Sequence, residues 1–405
     1  MVAATSRPAR VRIDLGAVRR NVERLARAVA PAEVCAVVKA DAYGHGAIPA
    51  ARAAIAGGAT WLAVAVVDEG LALRSSGIEA PILLLSEPPV AAMADAHGGW
   101  LTPTLYTSSG VAAAAAVAST GRRPWPVHLK VDTGMHRVGA APDVVAALVA
   151  EVVAHPMLEF DGLWTHLAVA DEVDHPFTGE QLRRFGSVLD ELGPAGRPRL
   201  LHVANSAGAV AHPAARFDLV RSGIACYGVP PAQGVGDDLG LEPAMGVVAA
   251  VAFVQRIPAG DALSYGLRYR FDVDSTVATV PIGYADGVPR RLSEAGAEVL
   301  IGGRRRRIVG AVTMDQVMVD CGDDPVAVGD EVVLLGRQGT ESVLAPEWAR
   351  LLGTIPYEVL CGFGPRLPRV VESAAMALPE PAAEREPERG PEAASSPAHG
   401  GSSSR

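Results

Sequence analysis

The stretch VCAVVKADAYGHG, residues 34–46, decides how the chain is read. Its first five residues, 34–38, are apolar without interruption, and the run ends on Lys39 and a polar, glycine-containing segment. A short continuous apolar run of this kind is a strand buried on both faces, the signature of a parallel sheet covered by helices. The pattern recurs downstream in WLAVAVV (61–67), PILLL (81–85), WLTPTL (100–105), VHLKV (127–131), LEFDGLW (158–164), LLHVA (200–204) and FDLVRSGI (217–224). Between these runs lie segments with helical patterning, such as 141–154 and 180–192. Eight strands alternating with helices over residues 11–240 predict an α/β fold, an N-terminal (β/α)8 TIM-type barrel, which typically takes roughly 250 residues. A doubly wound open sheet is the alternative architecture.

Upstream, DLGAVRRNVERLARAVA (14–30) sets Leu15, Val18, Val22, Leu25 and Val29 three or four residues apart. They form one face of a helix, with Asp14 as its N-cap and Pro31 as its stop. Residues 1–10 read as a flexible lead-in. Past Gly240 the helical period disappears, and short β-branched runs alternate with turns: VVAAVAFVQRI, STVATVPIGY, EVLIGGRRRRIVG, QVMVDCG and DEVVLLG. Residues 241–372 are therefore expected to form a mostly antiparallel C-terminal β domain. It contains one clear helical piece, APEWARLLG (345–353), and Arg304–Arg307 are expected in an exposed hairpin turn. From about residue 373 to 405 the chain is Pro, Glu, Ala and Ser with few bulky apolar residues, a composition that predicts disorder.

The chain has 405 residues, 49% of them apolar and 20% charged, ample for a large core. A net charge of −9 argues against general binding to nucleic acid or an acidic membrane surface. No apolar run is long enough for a membrane span, and the N-terminus has no signal-peptide core, so a cytoplasmic protein is expected. Cys35, Cys226, Cys321 and Cys361 show neither C-x-x-C pairing nor metal-type spacing and read as small buried hydrophobes.

Only two lysines, Lys39 and Lys130, stand among 36 basic residues. Arginine can replace lysine as a surface cation, but it cannot lose its proton and attack a carbonyl. If the protein uses a lysine Schiff base, these two are the candidates. Lys39 follows the first barrel strand, and active-site residues of such barrels come from the carboxyl ends of strands. HLKVDTGMHRVG (128–139) adds Lys130, readable also as a plain ion-pair partner of Asp132, and Arg137, a fork of donors for a carboxylate or phosphate. His166 ends the sixth strand. The loops after strands seven and eight are the recurrent phosphate site of the fold, and here they hold Ser206, Gly223 and Ile224. In the second domain Tyr265, Tyr284, Arg290, Met314, Asp315 and Tyr357 sit in short motifs that mostly contain Gly or Pro. A tyrosine of this kind is more often a half-buried packing group than a base.

Taken in order, VVKADAYGHG, HLKVDTGMHRVG, THLAVAD, ANS, RSGIACYG, SYG, GYADG, TMDQ and IPYE resemble the alanine racemases over roughly residues 11–370. Asp41 and Trp164 depart from that family's usual residues. The resemblance implies pyridoxal 5′-phosphate held by Lys39, with Tyr43, Ser206, Gly223, Ile224 and Tyr357 around its phosphate. It implies Arg221 at the ring nitrogen and Arg137 near the phenolic oxygen and the substrate. Lys130 matches a lysine that is often carbamylated. Lys39 and Tyr265 match the two bases, one on each face of the substrate. His166 links Arg221 to Tyr265, and Met314 and Asp315 lie near the substrate carboxylate. Tyr265 and Met314 are expected from the partner subunit of a homodimer, with Tyr284 and Arg290 in support and no metal. The implied reaction is interconversion of L-alanine and D-alanine, which supplies D-alanine for peptidoglycan. A decarboxylase of the same fold type is the nearest alternative, disfavoured because it carries an acid where this chain has Arg221. A racemase of serine or of broader range, and a non-catalytic pyridoxal-phosphate carrier, are the others.

Overall fold

The computed structural model describes residues 7–372, so the tail read as disordered lies outside the described residues. Strand β1 (Ala9–Asp14) leads into helix α1 (Leu15–Val29), and the Asp14 carboxylate caps that helix by accepting from the Ala17 N–H at 2.8 Å. Val18, Val22, Leu25 and Val29 are buried, so the apolar face read from the sequence is the face that packs.

Eight parallel strands follow: β2 (Glu33–Val37), β3 (Trp61–Val64), β4 (Ile82–Leu84), β5 (Thr104–Leu105), β6 (Trp125–Lys130), β7 (Leu158–Trp164), β8 (Leu200–His202) and β9 (Leu219–Ser222). They pair as β4-β3-β2-β9 and as β5-β6-β7-β8. Two seams close these halves into a barrel. At one, Leu84 N–H donates to Thr102 O at 2.9 Å and Thr102 N–H to Ile82 O at 2.8 Å. At the other, Asp218 N–H donates to Leu201 O at 3.0 Å and Arg221 N–H to Ala204 O at 2.9 Å. The expected barrel is therefore the observed architecture. Only Thr104–Leu105 of the 100–105 run keeps strand geometry.

The C-terminal part consists of β10 (Met245–Ala250), β11 (Phe253–Ile257), β12 (Ala262–Leu263), β13 (Tyr269–Arg270), β14 (Ser275–Val280), β15 (Glu298–Ile301), β16 (Arg304–Val309), β17 (Val317–Gly322), β18 (Glu331–Gln338), β19 (Glu341–Val343) and β20 (Arg369–Glu372). Apart from the small β12-β13 hairpin they make one sheet in the order β11-β14-β17-β16-β15-β18-β10-β1-β20, with β19 on β18.

Four details differ from the sequence reading. Ala9 and Arg10 are not lead-in: β1 lies in the C-terminal sheet, antiparallel to β10 and parallel to β20. Its alternation of buried Ala9, Val11 and Ile13 with arginines is the period of a strand with one buried face. Arg304–Arg307 belong to β16, and Gly302 and Gly303, both at positive φ, make the turn. There Arg305 bonds Glu298, Glu341 and Glu347. Besides Ala345–Leu352 there is a second helix, Pro356–Cys361, and Cys361 at its end is exposed rather than buried. Among the described residues no helix is long and apolar enough to cross a membrane.

Replacing Asp14 with Ala leaves the Ala17 N–H without its side-chain acceptor. The expected loss is about 1 kcal/mol of stability, read as a lowered urea midpoint at unchanged slope.

Candidate active site

The residues after Lys39 do not continue an ordinary helix. Ala40, Asp41, Ala42 and Tyr43 all have φ between 52° and 55°, one turn of left-handed helix. For L-residues that conformation costs roughly 1–2 kcal/mol per residue, so it needs external support. Glu69 provides part of it: one carboxylate oxygen accepts from the Ala40 N–H at 2.7 Å, the other from the Ala65 N–H at 2.8 Å. Asp41 accepts from the Ala47 N–H at 2.7 Å. The turn leaves Lys39 at the carboxyl end of β2 and folds Tyr43 back into the protein. The Tyr43 hydroxyl lies where a side chain on Gly223 would be, 2.4 Å from the position of a Cβ there, so residue 223 has to be glycine.

Lys39, Tyr43, Lys130, Arg137, His166, Ser206, Arg221, Gly223 and Tyr357 line one cavity of about 480 Å³ at this end of the barrel. That lies within the range of small-ligand sites, ~300–1,000 Å³. Most of these side chains come from the carboxyl ends of barrel strands or the loops after them. Tyr357 comes from the helix Pro356–Cys361, its ring 5.8 Å from that of Tyr43. Ser206 is buried, and its hydroxyl accepts from the Gly223 N–H at 2.9 Å, which ties together the loops after β8 and β9. Ile224 is buried beside Gly223. Asp132 shapes the Arg137 loop by accepting from the N–H groups of Gly134 at 2.9 Å and His136 at 3.1 Å.

Lys39, Lys130, Arg137 and Arg221 face this cavity, and among the described residues no carboxylate lines it. Burial, with help from Arg137, lowers the pKa of Lys39. Burial and the guanidinium groups of Arg137 and Arg221 bring Lys130 down to about 8. Lys130 has no ion-pair partner among the described residues, its Asp132 pairing is not formed, and its ammonium lies 4.8 Å from the centre of the Trp164 ring. Arg221 is buried, which lowers it to about 9, still cationic at neutral pH. All its acceptors are uncharged: the carbonyls of His202, Thr165 and Val203, His202 Nδ1 at 2.7 Å and His166 Nδ1 at 3.3 Å. Burial and the surrounding cations keep His166 and His202 neutral. A cavity with an excess of fixed positive charge is built for a ligand that carries several negative charges.

The other residues singled out in the sequence lie elsewhere in the chain. Tyr265 is 75% exposed and shares a surface cavity with Arg290. Met314 is 52% exposed, and its carbonyl accepts from Ala285 N–H, beside Tyr284. Asp315 pairs with Arg366 at 2.6 Å. None of the five lines the Lys39 cavity. Sequence reasoning missed Glu69, His128 and His202. Glu69 follows the second barrel strand, a position whose logic had already selected Lys39. The two histidines lie within strand runs, where nothing in the sequence separates a core imidazole from a working one.

The comparisons with known proteins agree with this geometry. Residues 13–231 match the family model "Alanine racemase, N-terminal domain", and residues 244–371 match "Alanine racemase, C-terminal domain". An alanine racemase of Symbiobacterium thermophilum is 49% identical over 370 residues, covering 90% of this chain and 97% of the relative. The crystal structure of an alanine racemase from Streptomyces lavendulae superposes with a TM-score of 0.86 at 39% identity, covering 91% of this chain and 98% of the other. A Bacillus anthracis alanine racemase with bound L-Ala-P gives 0.85 at 37% identity, covering 92% and 97%. The fold and site place the chain among two-domain enzymes with a barrel and a β domain. It belongs to the alanine racemase family.

Replacing Glu69 with Ala removes the acceptor for the N–H groups of Ala40, Ala65 and Val66. About 2–3 kcal/mol of stability should be lost, measured by urea unfolding, and Lys39 should label faster with an amine-specific reagent.

Proposed function

We propose that the chain interconverts L-alanine and D-alanine with pyridoxal 5′-phosphate, as a cytoplasmic homodimer supplying D-alanine for peptidoglycan. One observation carries the reading: a half-buried lysine of lowered pKa stands in a cavity whose charged groups are all cations, facing a cluster of uncharged phosphate donors. That donor set fits the cofactor. Lys39 would hold its aldehyde carbon, and Tyr43, Ser206, Tyr357 and the backbone around Gly223 and Ile224 its phosphate. Arg221 would face the ring nitrogen and Arg137 the phenolic oxygen. When bound, the group draws electrons from the α-carbon of an attached amino acid and acidifies its hydrogen.

The chain's own residues supply the rest. Lys39 takes or returns the α-proton on one face. Racemisation needs a second base on the other face, and Tyr265 supplies it from the partner subunit. Support for that assignment is the exposure of Tyr265, Leu267, Met314 and Tyr284, large apolar side chains on the β domain that a second copy would cover. Met314 and Asp315 from the same surface would meet the substrate carboxylate. Arg221 only donates and keeps its protons, so it would face the ring nitrogen of the bound group without giving it a proton. A group held in that way would withdraw electrons less strongly, which favours return of the α-proton over side reactions. Lys130 has the properties of an amine that adds carbon dioxide: burial leaves a share of it unprotonated at neutral pH, and no carboxylate pairs with it. Addition of carbon dioxide to the neutral amine releases one proton, two when counted from the ammonium form, and leaves an anion able to pair with Arg137.

Incubation of the full chain with pyridoxal phosphate and L-alanine, followed by chiral chromatography, should give D-alanine up to near-equal amounts. Lys39→Ala should give none. No D-alanine from a yellow, cofactor-loaded protein would sink the reading. Tyr265→Phe should slow one direction more than the other when deuterated alanine enantiomers are compared, whereas a carrier would be indifferent. Lys130→Ala should be slow and partly restored by acetate. Failure of acetate to restore it, with no carbamate signal after ¹³C-bicarbonate labelling, would rule out the modification.

A further inference from the structure

The interior of a barrel of this kind is normally filled by layers of branched apolar side chains. Here a line of polar groups crosses it. Arg221 NH1 meets His202 Nδ1 at 2.7 Å, His202 Nε2 meets His128 Nδ1 at 2.9 Å, and His128 Nε2 meets Asp161 Oδ2 at 3.3 Å. Arg199 closes the line, with its Nε 2.7 Å from Asp161 Oδ1 and its NH2 3.0 Å from Oδ2. His128, His202, Asp161 and Arg221 are all buried. One end of the line borders the Lys39 cavity. The other borders a separate cavity of about 260 Å³, lined by Trp61, Pro126, Asp161 and Arg199 near the amino ends of the strands.

Two features make room for the line. A Cβ on Gly162 would stand 2.5 Å from the His128 ring, so glycine on β7 is what admits the imidazole. The β6–β7 register also shifts between Val127 and His128.

The bonds can run in only one direction. A guanidinium only donates, so His202 Nδ1 accepts and its proton sits on Nε2. That N–H donates to His128 Nδ1, which places the His128 proton on Nε2, and that N–H donates to a carboxylate, which only accepts. We propose that Asp161, from the far end of the barrel, is a positioning residue for Arg221: as terminal acceptor it fixes the tautomer and ring of His128, and through it the His202 ring, so that the guanidinium stays aimed at the active cavity. The inference rests on the racemase reading, in which Arg221 faces the ring nitrogen. Burial works against the Asp161 carboxylate, yet the hydrogen bonds from His128 and Arg199 hold its pKa down to about 2, so the line keeps its terminal acceptor at all working pH values. Buried carboxylates behind ligand histidines fix imidazole orientation in the same way.

The test uses the full chain labelled with ¹⁵N-histidine, with and without pyridoxal phosphate, the signals assigned from His128→Gln and His202→Gln. Both imidazoles should be neutral and protonated on Nε2 alone. In Asp161→Asn the amide oxygen can still accept from His128, so the tautomers should persist with a modest loss of kcat. In Asp161→Leu the His128 Nε2–H has no acceptor, so the His128 tautomer should become mixed while Arg221 still holds the His202 proton on Nε2, and kcat for alanine should fall on the order of tenfold while KM changes less than about twofold. Protonation on Nδ1 in the wild type overturns the proposal, as does Asp161→Leu with unchanged tautomers or unchanged kcat. If Asp161→Leu does not fold, reversed tautomers in Asp161→Asn at full kcat overturn it as well. The spectra need no substrate, so a wild-type chain that shows the expected tautomers but makes no D-alanine counts against the reaction and not against the relay.

Discussion

A guanidinium buried in a protein interior carries a large desolvation cost unless its donors are satisfied, and Arg221 meets that cost without a single carboxylate in contact. Three carbonyls and two imidazoles surround it, and the Trp164 ring lies 4.3 Å from its central carbon. Much of the barrel interior is arranged around this one group. The Trp164 ring stacks on His202, His202 bonds His128, and β7 carries a glycine where a larger residue would collide with His128. A carboxylate directly against Arg221 would lower the cost but would compete with these neutral acceptors for its donors. With the negative charge placed at Asp161, two histidines away, those donors keep their direction.

The same economy of charge governs the rest of the cavity. Hydroxyls of Tyr43, Ser206 and Tyr357 line it together with the four cations Lys39, Lys130, Arg137 and Arg221. The left-handed turn after Lys39 connects the two halves of the site. It frees the lysine into the cavity and sends Tyr43 to fill the space above Gly223, and Glu69 from the next barrel strand holds it against its intrinsic preference. Through Tyr357 the β domain completes the cavity of its own barrel. It also carries Tyr265, Tyr284 and Met314, large side chains left exposed at its surface.

Much of this was legible in the sequence. Eight short, mostly apolar runs alternating with helical segments specify a covered parallel sheet, because strands buried on both faces are apolar at most positions. The change to β-branched runs and turns after Gly240 specifies a second, antiparallel part in the same local way. Lys39 stood out by chemistry, since no arginine can replace a reacting amine. Ala9 and Arg10 read as part of a loose lead-in because the pattern of the strand they open is short and interrupted by arginines. Its membership of the C-terminal sheet is a long-range pairing with β10 and β20, and no local pattern encodes such a pairing.

The sequence by itself determined the periodicities, the caps and the chemical identity of the reactive groups, since each depends only on neighbours within a few residues. Tertiary structure alone decided which groups meet. His128, Asp161, His202 and Arg221 lie on β6, β7, β8 and β9, and barrel closure stacks them into one line. Packing of the helix Pro356–Cys361 against the turn after Lys39 brings Tyr357 to Tyr43, while Tyr265 stays at the surface. Hydrogen bonds and burial act over a few ångströms, so residues far apart in the chain take their protonation and their function from the fold.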